Sequence, residues 1–482
     1  MQVAMIIKIL GMLLVLFGLT FFPPIWVDQW YQEGHSQPFV LAFLITFVLG
    51  IVCWFPYRRH LIDMSARDGF LITVIFWAAL GLIGAIPFYL NAVPHLSIVD
   101  SVFESVSGLT TTGATVITHL DNQPHAILYY RQQLQFFGGL GFIILAVAIL
   151  PMLGVGGMQL FHMEMSGPIK DHKLTPRITQ TAKTLWLLYL GITILCSLSY
   201  KLCGMGSFDA ICYAMATVSS GGFAPHDASM GFFPQISIKI TCIFFMCIAA
   251  INHGLHYAAF FKRDLSIYLK DTECSTFFGI IAGSFILFWL TIYVFSQSAP
   301  GIPIIDVLFQ IVSFITTTGF LTTNHSLWPF FMPLFLLYLG LLGGCAGSTS
   351  GGFKIIRVIL LLKQGLREIR RLIHPHGHFV IKMQKQAVPS RITDAIWGFS
   401  AIYIALFSVL LMILLIFEAD FLTAYSALIT TISNTGPGLG NVALDFHALS
   451  TPSKWILSIA MIAGRLEILT LLVLFSPHFW RK

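Results

Sequence analysis

The chain has 482 residues, 56% of them hydrophobic and only 10% charged, where an ordinary soluble domain has about a quarter. That balance excludes a soluble enzyme or binding module, and recurring apolar runs of about 20 residues are long enough to cross ~30 Å of hydrocarbon. The placement of the +6 net charge matters more than its size: its basic loops could suggest a nucleic-acid binder, but juxtamembrane polybasic segments are far more often topological.

The first apolar run, Ile6–Val27, carries Lys8 near its start and has no small-residue cleavage site before Asp28. It reads as a retained helix and not as a signal peptide. A second run, Phe39–Pro56, follows an acidic loop with Asp28 and Glu33. These two helices form an extension, residues 1–66.

After it, one unit recurs four times, over residues 67–160, 161–262, 263–385 and 386–482. Each unit is an apolar span, a short apolar helix, a segment of hydroxyl residues ending in glycine, and a second span. The first spans are Gly69–Leu90, Thr184–Cys203, Thr276–Ser296 and Ile392–Phe417. The second are Ala126–Leu153, Ile236–Phe261, Pro329–Leu362 and Ser453–Leu474. Between them lie DSVFESVSGLTTTG (Asp100–Gly113), DAICYAMATVSSGG (Asp209–Gly222), DVLFQIVSFITTTG (Asp306–Gly319) and TAYSALITTISNTG (Thr423–Gly436). In every copy an Asp or Thr suited to a helix N-cap stands thirteen residues ahead of a glycine. The glycines are 109, 97 and 117 residues apart.

Helices of about ten residues cannot span a bilayer, so these four must be re-entrant. Irregular backbone at membrane depth is tolerated where it lines a water-filled cavity. Four glycine-ended segments are enough to ring a pore with carbonyl oxygens that replace an ion's hydration shell. The candidate ligand-bearing residues are Thr110, Thr111, Thr112 and Gly113; Ser219, Ser220, Gly221 and Gly222; Thr316, Thr317, Thr318 and Gly319; and Ser433, Asn434, Thr435 and Gly436. In the second segment Gly221 and Gly222 compete for the critical place. The thirteen-residue spacing and the Gly-Phe step shared with Gly319–Phe320 favour Gly222. The expected fold is all-α and integral to the membrane, with ten spans, four re-entrant helices and pseudo-fourfold symmetry.

Basic residues cluster in alternate loops: Arg58, Arg59 and Arg67; Lys170, Lys173, Arg177 and Lys183; Lys262, Arg263 and Lys270; and nine from Lys354 to Arg391. With Lys8, Arg481 and Lys482 they make 22 of the 27, leaving Arg131, Lys201, Lys239, Lys454 and Arg465. The positive-inside rule puts both termini and these loops in the cytoplasm and the four glycine segments on the opposite face. The eight cysteines have no CxxC spacing and suggest free thiols rather than disulfides or a zinc site.

Two features break the helical pattern. The second span of the third unit is interrupted by Gly343, Gly344, Cys345, Ala346, Gly347, Ser348, Thr349, Ser350, Gly351 and Gly352. Five glycines and three hydroxyl residues do not stay helical in lipid, so a flexible loop projecting into the pore is expected. The other is Arg465 in the last span, a charge that is costly there and hence a functional candidate. Glu467 stands about 200° away round a helix, poorly placed to neutralise it.

Two rival readings remain. A membrane metalloenzyme could use His374, His376 and His378, or His253 with His256, but neither set has a carboxylate cluster beside it. An ion-coupled carrier (a symporter) needs intramembrane carboxylates, for which Glu104 and Glu467 are the candidates.

SGLTTTGAT (107–115), ATVSSGGFAPHDAS (216–229), ITTTGF (315–320), GGCAGSTSGGFK (343–354), SNTGPGLG (433–440) and AGRLE (463–467) together resemble a TrkH-type subunit of the Trk/Ktr/HKT potassium-transporter superfamily, over essentially the whole chain. The resemblance implies uptake of K⁺ across a bacterial inner membrane, with potassium the only metal involved. It implies a homodimer, and a peripheral TrkA-type cytoplasmic ring carrying the regulatory nucleotide of NAD or ATP type, with no cofactor on this chain. It implies that the interrupted helix, Gly343–Gly352, and Arg465 form an intramembrane gate. It also associates glycine at all four filter positions with K⁺ preference, while SSGG and SNTG depart from TTTG.

Overall fold

The computed structural model describes residues 3–58, 66–149, 178–295, 301–384, 386–418 and 420–480. Arg59, Lys170, Lys173, Arg177, Lys385, Arg481 and Lys482, used above for topology, lie outside the described residues, as does the expected end of the first unit's second span.

The extension is a helical hairpin. Helix α1 (Val3–Gly18) runs through a 3₁₀ turn into α2 (Phe22–Tyr31), whose prolines lie in its first turn, where a missing N–H costs nothing. Helix α3 (Gln37–Trp54) packs back on α1. Close approach there depends on two glycines: a Cβ on Gly11 would lie 2.6 Å from Trp54 N, and one on Gly50 2.7 Å from a Val15 methyl.

The first unit has α4 (Ala66–Gly84) and α5 (Ile86–Leu90) as its first span, then the short α6 (Ile98–Leu109) and α7 (His125–Ile149). The second has α8 (Ile178–Leu202), the short α9 (Ser207–Val218), α10 (Ile236–Ala250) and α11 (His253–Lys262). The third has α12 (Thr272–Val294), the short α13 (Ile304–Ile315), α14 (Met332–Leu342) and α15 (Ile355–Ile373). The fourth has α16 (Ser390–Phe417), the short α17 (Phe421–Ile432), α18 (Thr451–Arg465) and α19 (Leu469–Leu472). A two-residue ribbon, Lys382–Met383 against Gln386–Ala387, sits in the long basic loop.

Six helices are long and apolar enough to cross a bilayer unbroken, and two bent pairs bring this to eight among the described residues. The 25-residue α7 and the interrupted α14–α15 complete the ten spans. Lipid-facing sides stay apolar, as on α12, where Ile286, Trp289, Leu290 and Tyr293 are exposed.

Two expectations need correcting. The second spans of units two and four are not continuous. The chain bends by 97° between α10 and α11, and by 105° between α18 and α19. Only the third was expected to break, because its glycines advertise it. The bend after α18 comes from Glu467 and Ile468 at φ 56° and 42°, a conformation no residue-type signal marks.

The caps also differ. Asp100, Asp209, Asp306 and Thr423 are not N-caps but the third helical residue of their short helices. The capping residues are Ser97, Gly206, Pro303 and Asp420. Ser97 accepts from Asp100 N and donates to Asp100 Oδ2, and Asp420 accepts from Leu422 N and Thr423 N. The acidic residues still complement the positive helix ends from the first turn.

Candidate functional site

All four short helices have twelve residues and end at Leu109, Val218, Ile315 and Ile432, so each filter glycine comes four residues later. The turn that follows is the same each time. The third filter N–H donates back five residues: Thr112 to Ser107 O, Gly221 to Ala216 O, Thr318 to Ser313 O and Thr435 to Thr430 O, at 2.8–2.9 Å. The second filter residues, Thr111, Ser220, Thr317 and Asn434, have φ of 53–55°. The glycines, Gly113, Gly222, Gly319 and Gly436, have φ of 78–94°. Left-handed backbone at a non-glycine residue costs roughly 1–2 kcal/mol, so four such residues in register mark a site built for function. Of the two glycines of the second segment, Gly222 and not Gly221 is left-handed.

The four segments close into a ring. A Cβ on Gly113 would collide with Gly221 O, one on Gly222 with Thr318 O, one on Gly319 with Thr435 O, and one on Gly436 would lie 2.6 Å from Thr112 O. Each glycine therefore abuts the third carbonyl of the next segment, and the fourth unit returns to the first. Glycine is required at these positions by both φ and space.

Three of the four segments are braced internally. The first and third hydroxyls meet at 2.8 Å in Thr110–Thr112, 2.8 Å in Thr316–Thr318 and 2.9 Å in Ser433–Thr435. The two departures from TTTG have separate causes. Asn434 Nδ2 donates to Thr112 Oγ1 at 2.9 Å and to Met461 O at 3.0 Å, stitching the fourth segment to the first. Gly221 leaves room for Gln135 of α7.

Between the first two segments lies a fully buried ion pair, Arg131 Nε to Glu104 Oε1 at 2.7 Å. Arg131 also donates to Ala224 O and Thr115 Oγ1 and stacks on Phe223 at 4.2 Å. Glu104 accepts from Val116 N. The carboxylate offered above for ion coupling is thus committed to holding two filter segments together, with every partner a close one.

At the rim, Lys454 pairs with Asp100 and Lys239 with Asp306, both at 2.7 Å. The second span of unit four thereby grips the short helix of unit one, and that of unit two grips unit three. At Asp209 the partner is His226, 3.4 Å away and 2.6 Å from Asp121. Lys239, Lys454 and Arg131 fell outside the basic loops in the sequence, and their misfit with topology was the available signal that they do other work.

Below the ring, Gly343–Gly352 is not a loose loop. Cys345 N donates to Ala250 O and His253 N to Gly347 O, where α10 breaks into α11. Thr349 Oγ1 donates to Val218 O and lies 3.0 Å from Ser220 Oγ. Gly351 N donates to Thr317 Oγ1, and Gly352 N to Ser433 O. The loop is therefore tied to the undersides of the second, third and fourth filter segments. Glu273, buried at the start of α12, accepts from Ala346 N and Ile356 N and braces both ends of the interruption. Its place beside a basic loop disguised it in the sequence. Lys354 returns its ammonium to Ser350 O, capping the loop from inside.

Arg465 is the last residue of α18 and is buried. It donates to Thr349 O and to Gly138 O, both at 3.1 Å, so it spans from the loop of unit three to α7 of unit one. Glu467 does not neutralise it but pairs with Arg357 of α15 at 2.6 Å. Arg357 in turn stacks on Phe399 at 4.5 Å and donates to Phe353 O.

The candidate metal histidines do other things. His256 lies 2.9 Å from Tyr268 Oη and 2.8 Å from Ile248 O, while His253 is 3.3 Å from Gly347 O. His374, His376 and His378 follow α15, and no group of three His, Cys, Asp or Glu suited to a metal occurs among the described residues.

Residues 35–482 match the model of a family described as TrkH, cation transport protein. The chain is 48% identical to a Trk system potassium uptake protein TrkH of Vibrio parahaemolyticus, covering 100% of both chains. It is 45% identical to that of Escherichia coli, covering 99% of both. The crystal structure of the potassium transporter TrkH from Vibrio parahaemolyticus superposes with a TM-score of 0.92, at 45% identity and full coverage of both chains.

Proposed function

The chain belongs to the TrkH family of cation transport proteins, and from that premise we propose that it takes up K⁺ through the ring of four glycine-ended segments. One observation carries the reading: four copies of one backbone turn close head to tail, each glycine against the next segment's third carbonyl. A dehydrated monovalent cation needs oxygens on every side, and Thr110–Gly113, Ser219–Gly222, Thr316–Gly319 and Ser433–Gly436 offer them in equivalent layers. The C-terminal ends of α6, α9, α13 and α17 add partial negative charge beside it.

Gly343–Gly352 and Arg465 form the gate on this reading. The loop hangs from three filter segments, and Arg465 sets a fixed positive charge against Thr349 beneath them. The two carboxylates available for coupled transport, Glu104 and Glu467, are each paired with an arginine, which favours a pore over a carrier. The protein works as a homodimer in a bacterial inner membrane, both termini in the cytoplasm. A TrkA-type ring, holding the nucleotide, docks on the basic face around Lys354–Arg391. The extension (1–66) and four units divide as in the sequence.

The test is uptake. The chain should restore growth at low K⁺ to a cell lacking K⁺ uptake, more strongly with a TrkA-type partner. In liposomes the purified protein should pass Rb⁺ in preference to Na⁺. Equal passage of both ions through folded protein would overturn the filter reading.

A further inference from the structure

Three of the four filter segments brace their third residue with a hydroxyl pair, and the second cannot, because Gly221 has no side chain. Its first residue, Ser219, turns its hydroxyl to Ala216 O instead, at 3.2 Å. The missing brace is supplied from another unit. Gln135, fully buried in α7, donates from Nε2 to Gly221 O at 2.6 Å and accepts from Phe223 N at 3.1 Å. Both ends of one amide thus hold the backbone on either side of Gly222. The complementary pattern fixes the amide's orientation.

The diagonal position in the ring shows the reverse arrangement. Gly340 of α14 backs onto Thr435 of the following segment, where a Cβ would lie 2.8 Å from Thr435 Oγ1 and 3.1 Å from its methyl. At the corresponding contact of unit one, a Cβ on Gly221 would collide with Gln135 Cδ. One contact joins a large filter residue to a glycine in the span, and the other a large span residue to a glycine in the filter. Volume is conserved across the pair while the residue that fills it changes side.

We propose that Gln135 is a positioning residue that sets ion preference by fixing the third carbonyl layer in the second filter segment. The inference rests on the filter reading above. Because the amide donates to one of four equivalent carbonyls, that carbonyl keeps its direction but shares its lone-pair density with a fixed donor. The layer is held in shape with one ligand weaker than the other three, and the ion fits it through geometry rather than through charge.

The experiment measures the Rb⁺/Na⁺ flux ratio of purified full-length protein in liposomes. Gln135→Met keeps the volume and removes both bonds, and should lower the ratio at least about fivefold, the worth of one typical hydrogen bond. Gly221→Thr drives Gln135 out of place and should lower the ratio at least as far. The double variant Gln135→Gly with Gly221→Thr copies the Gly340–Thr435 contact. It also gives Ser219 a hydroxyl to pair with at position 221, as Ser433 pairs with Thr435. The ratio should return to within about twofold of the parent. A ratio unchanged in Gln135→Met, or a double variant no better than Gly221→Thr alone, overturns the proposal. Gly319→Ser, measured alongside, separates the two levels. If it alters the ratio while the Gln135 variants do not, only the role of Gln135 falls. If it too leaves the ratio unchanged, the filter reading falls first.

Discussion

The outer and inner halves of the four units differ in how closely they copy one another. In the outer half, short helices of equal length lead into one turn whose φ values agree within a few degrees at the second filter residue. In the inner half, the second span of unit one runs on as α7, that of unit two bends by 97°, and that of unit four by 105°. The third opens into the loop. On the proposed filter reading, an ion stripped of water weighs all four sides equally, so divergence in the outer half would cost selectivity directly. Opening and closing a passage needs only one moving obstruction, and the inner half is free to be asymmetric.

The comparison breaks most visibly at Arg465. At an effective dielectric of ~20 and a separation of ~6 Å, its charge, if uncompensated, would oppose a passing cation by about 3 kcal/mol, roughly a hundredfold in rate. Replacing Arg465 with Gln should raise K⁺ flux toward that limit when no partner is present, and Lys should largely keep the barrier. Flux that falls in both variants would show that Arg465, through Thr349 and Gly138, mainly holds the fold.

In the outer half, Gly319→Ser forces a Cβ into Thr435 O and within 2.8 Å of Pro437 Cδ, at a φ of 78°. The strain is about 1–2 kcal/mol, so K⁺ preference over Na⁺ should drop about tenfold in ion-flux assays. Gly113→Ser should behave alike, since the four positions are equivalent. A large effect at one and none at the other would limit the symmetry to backbone shape.

Arg357 joins helix α15 to the break that follows Arg465. Removing its bond with the partly exposed Glu467 should cost about 1 kcal/mol and change partner-independent leak about fivefold. The exchange Arg357→Glu with Glu467→Arg should recover part of that change, as measured by a double-mutant cycle of fluxes.

The smallest effect concerns the outer rim. Burial alone would lower the His226 pKa, but Asp209 and Asp121 outweigh it and hold the imidazole above its ordinary range. Stability from this cluster is therefore complete below about pH 6.5 and is lost as pH rises through the raised value. Asp121 itself is held below its ordinary range by His226, against the effect of burial. The thermal midpoint of the parent should fall relative to His226→Gln between pH 6 and 8, by up to about 1 °C (a fraction of 1 kcal/mol in a protein of this size). A constant difference across that range would mean the stack of His226 on Phe232, 3.7 Å apart, matters more than its charge.

The outer half was legible because it is written four times. Thirteen residues from Asp or Thr to glycine recur without slippage, and the ring follows from the count. What the spacing could not tell was which residue caps each helix, since an acidic residue in the first turn and one at the cap give the same pattern. The inner half was legible only where an unusual residue announced it, the glycines of Gly343–Gly352 and the charge of Arg465. The bends at Ile251–Asn252 and Leu466–Ile468 are made by ordinary residues under tertiary constraint. Partners such as Gln135 for Gly221, or Glu273 for the loop, are contacts between distant units that no local pattern records. The departures SSGG and SNTG were visible, but their compensation lay elsewhere in the chain.

The pairing of Lys454 with Asp100 can form only when the chain is almost complete. The two residues are 354 positions apart, and at 5–20 residues per second the ribosome needs roughly 20–70 s to cover that interval. Throughout it Asp100 has its local partner Ser97 but not Lys454, while Lys239 and Asp306, 67 positions apart, can meet much sooner. Units two and three can thus mature as a pair while the chain is still being made, and unit one closes with unit four last.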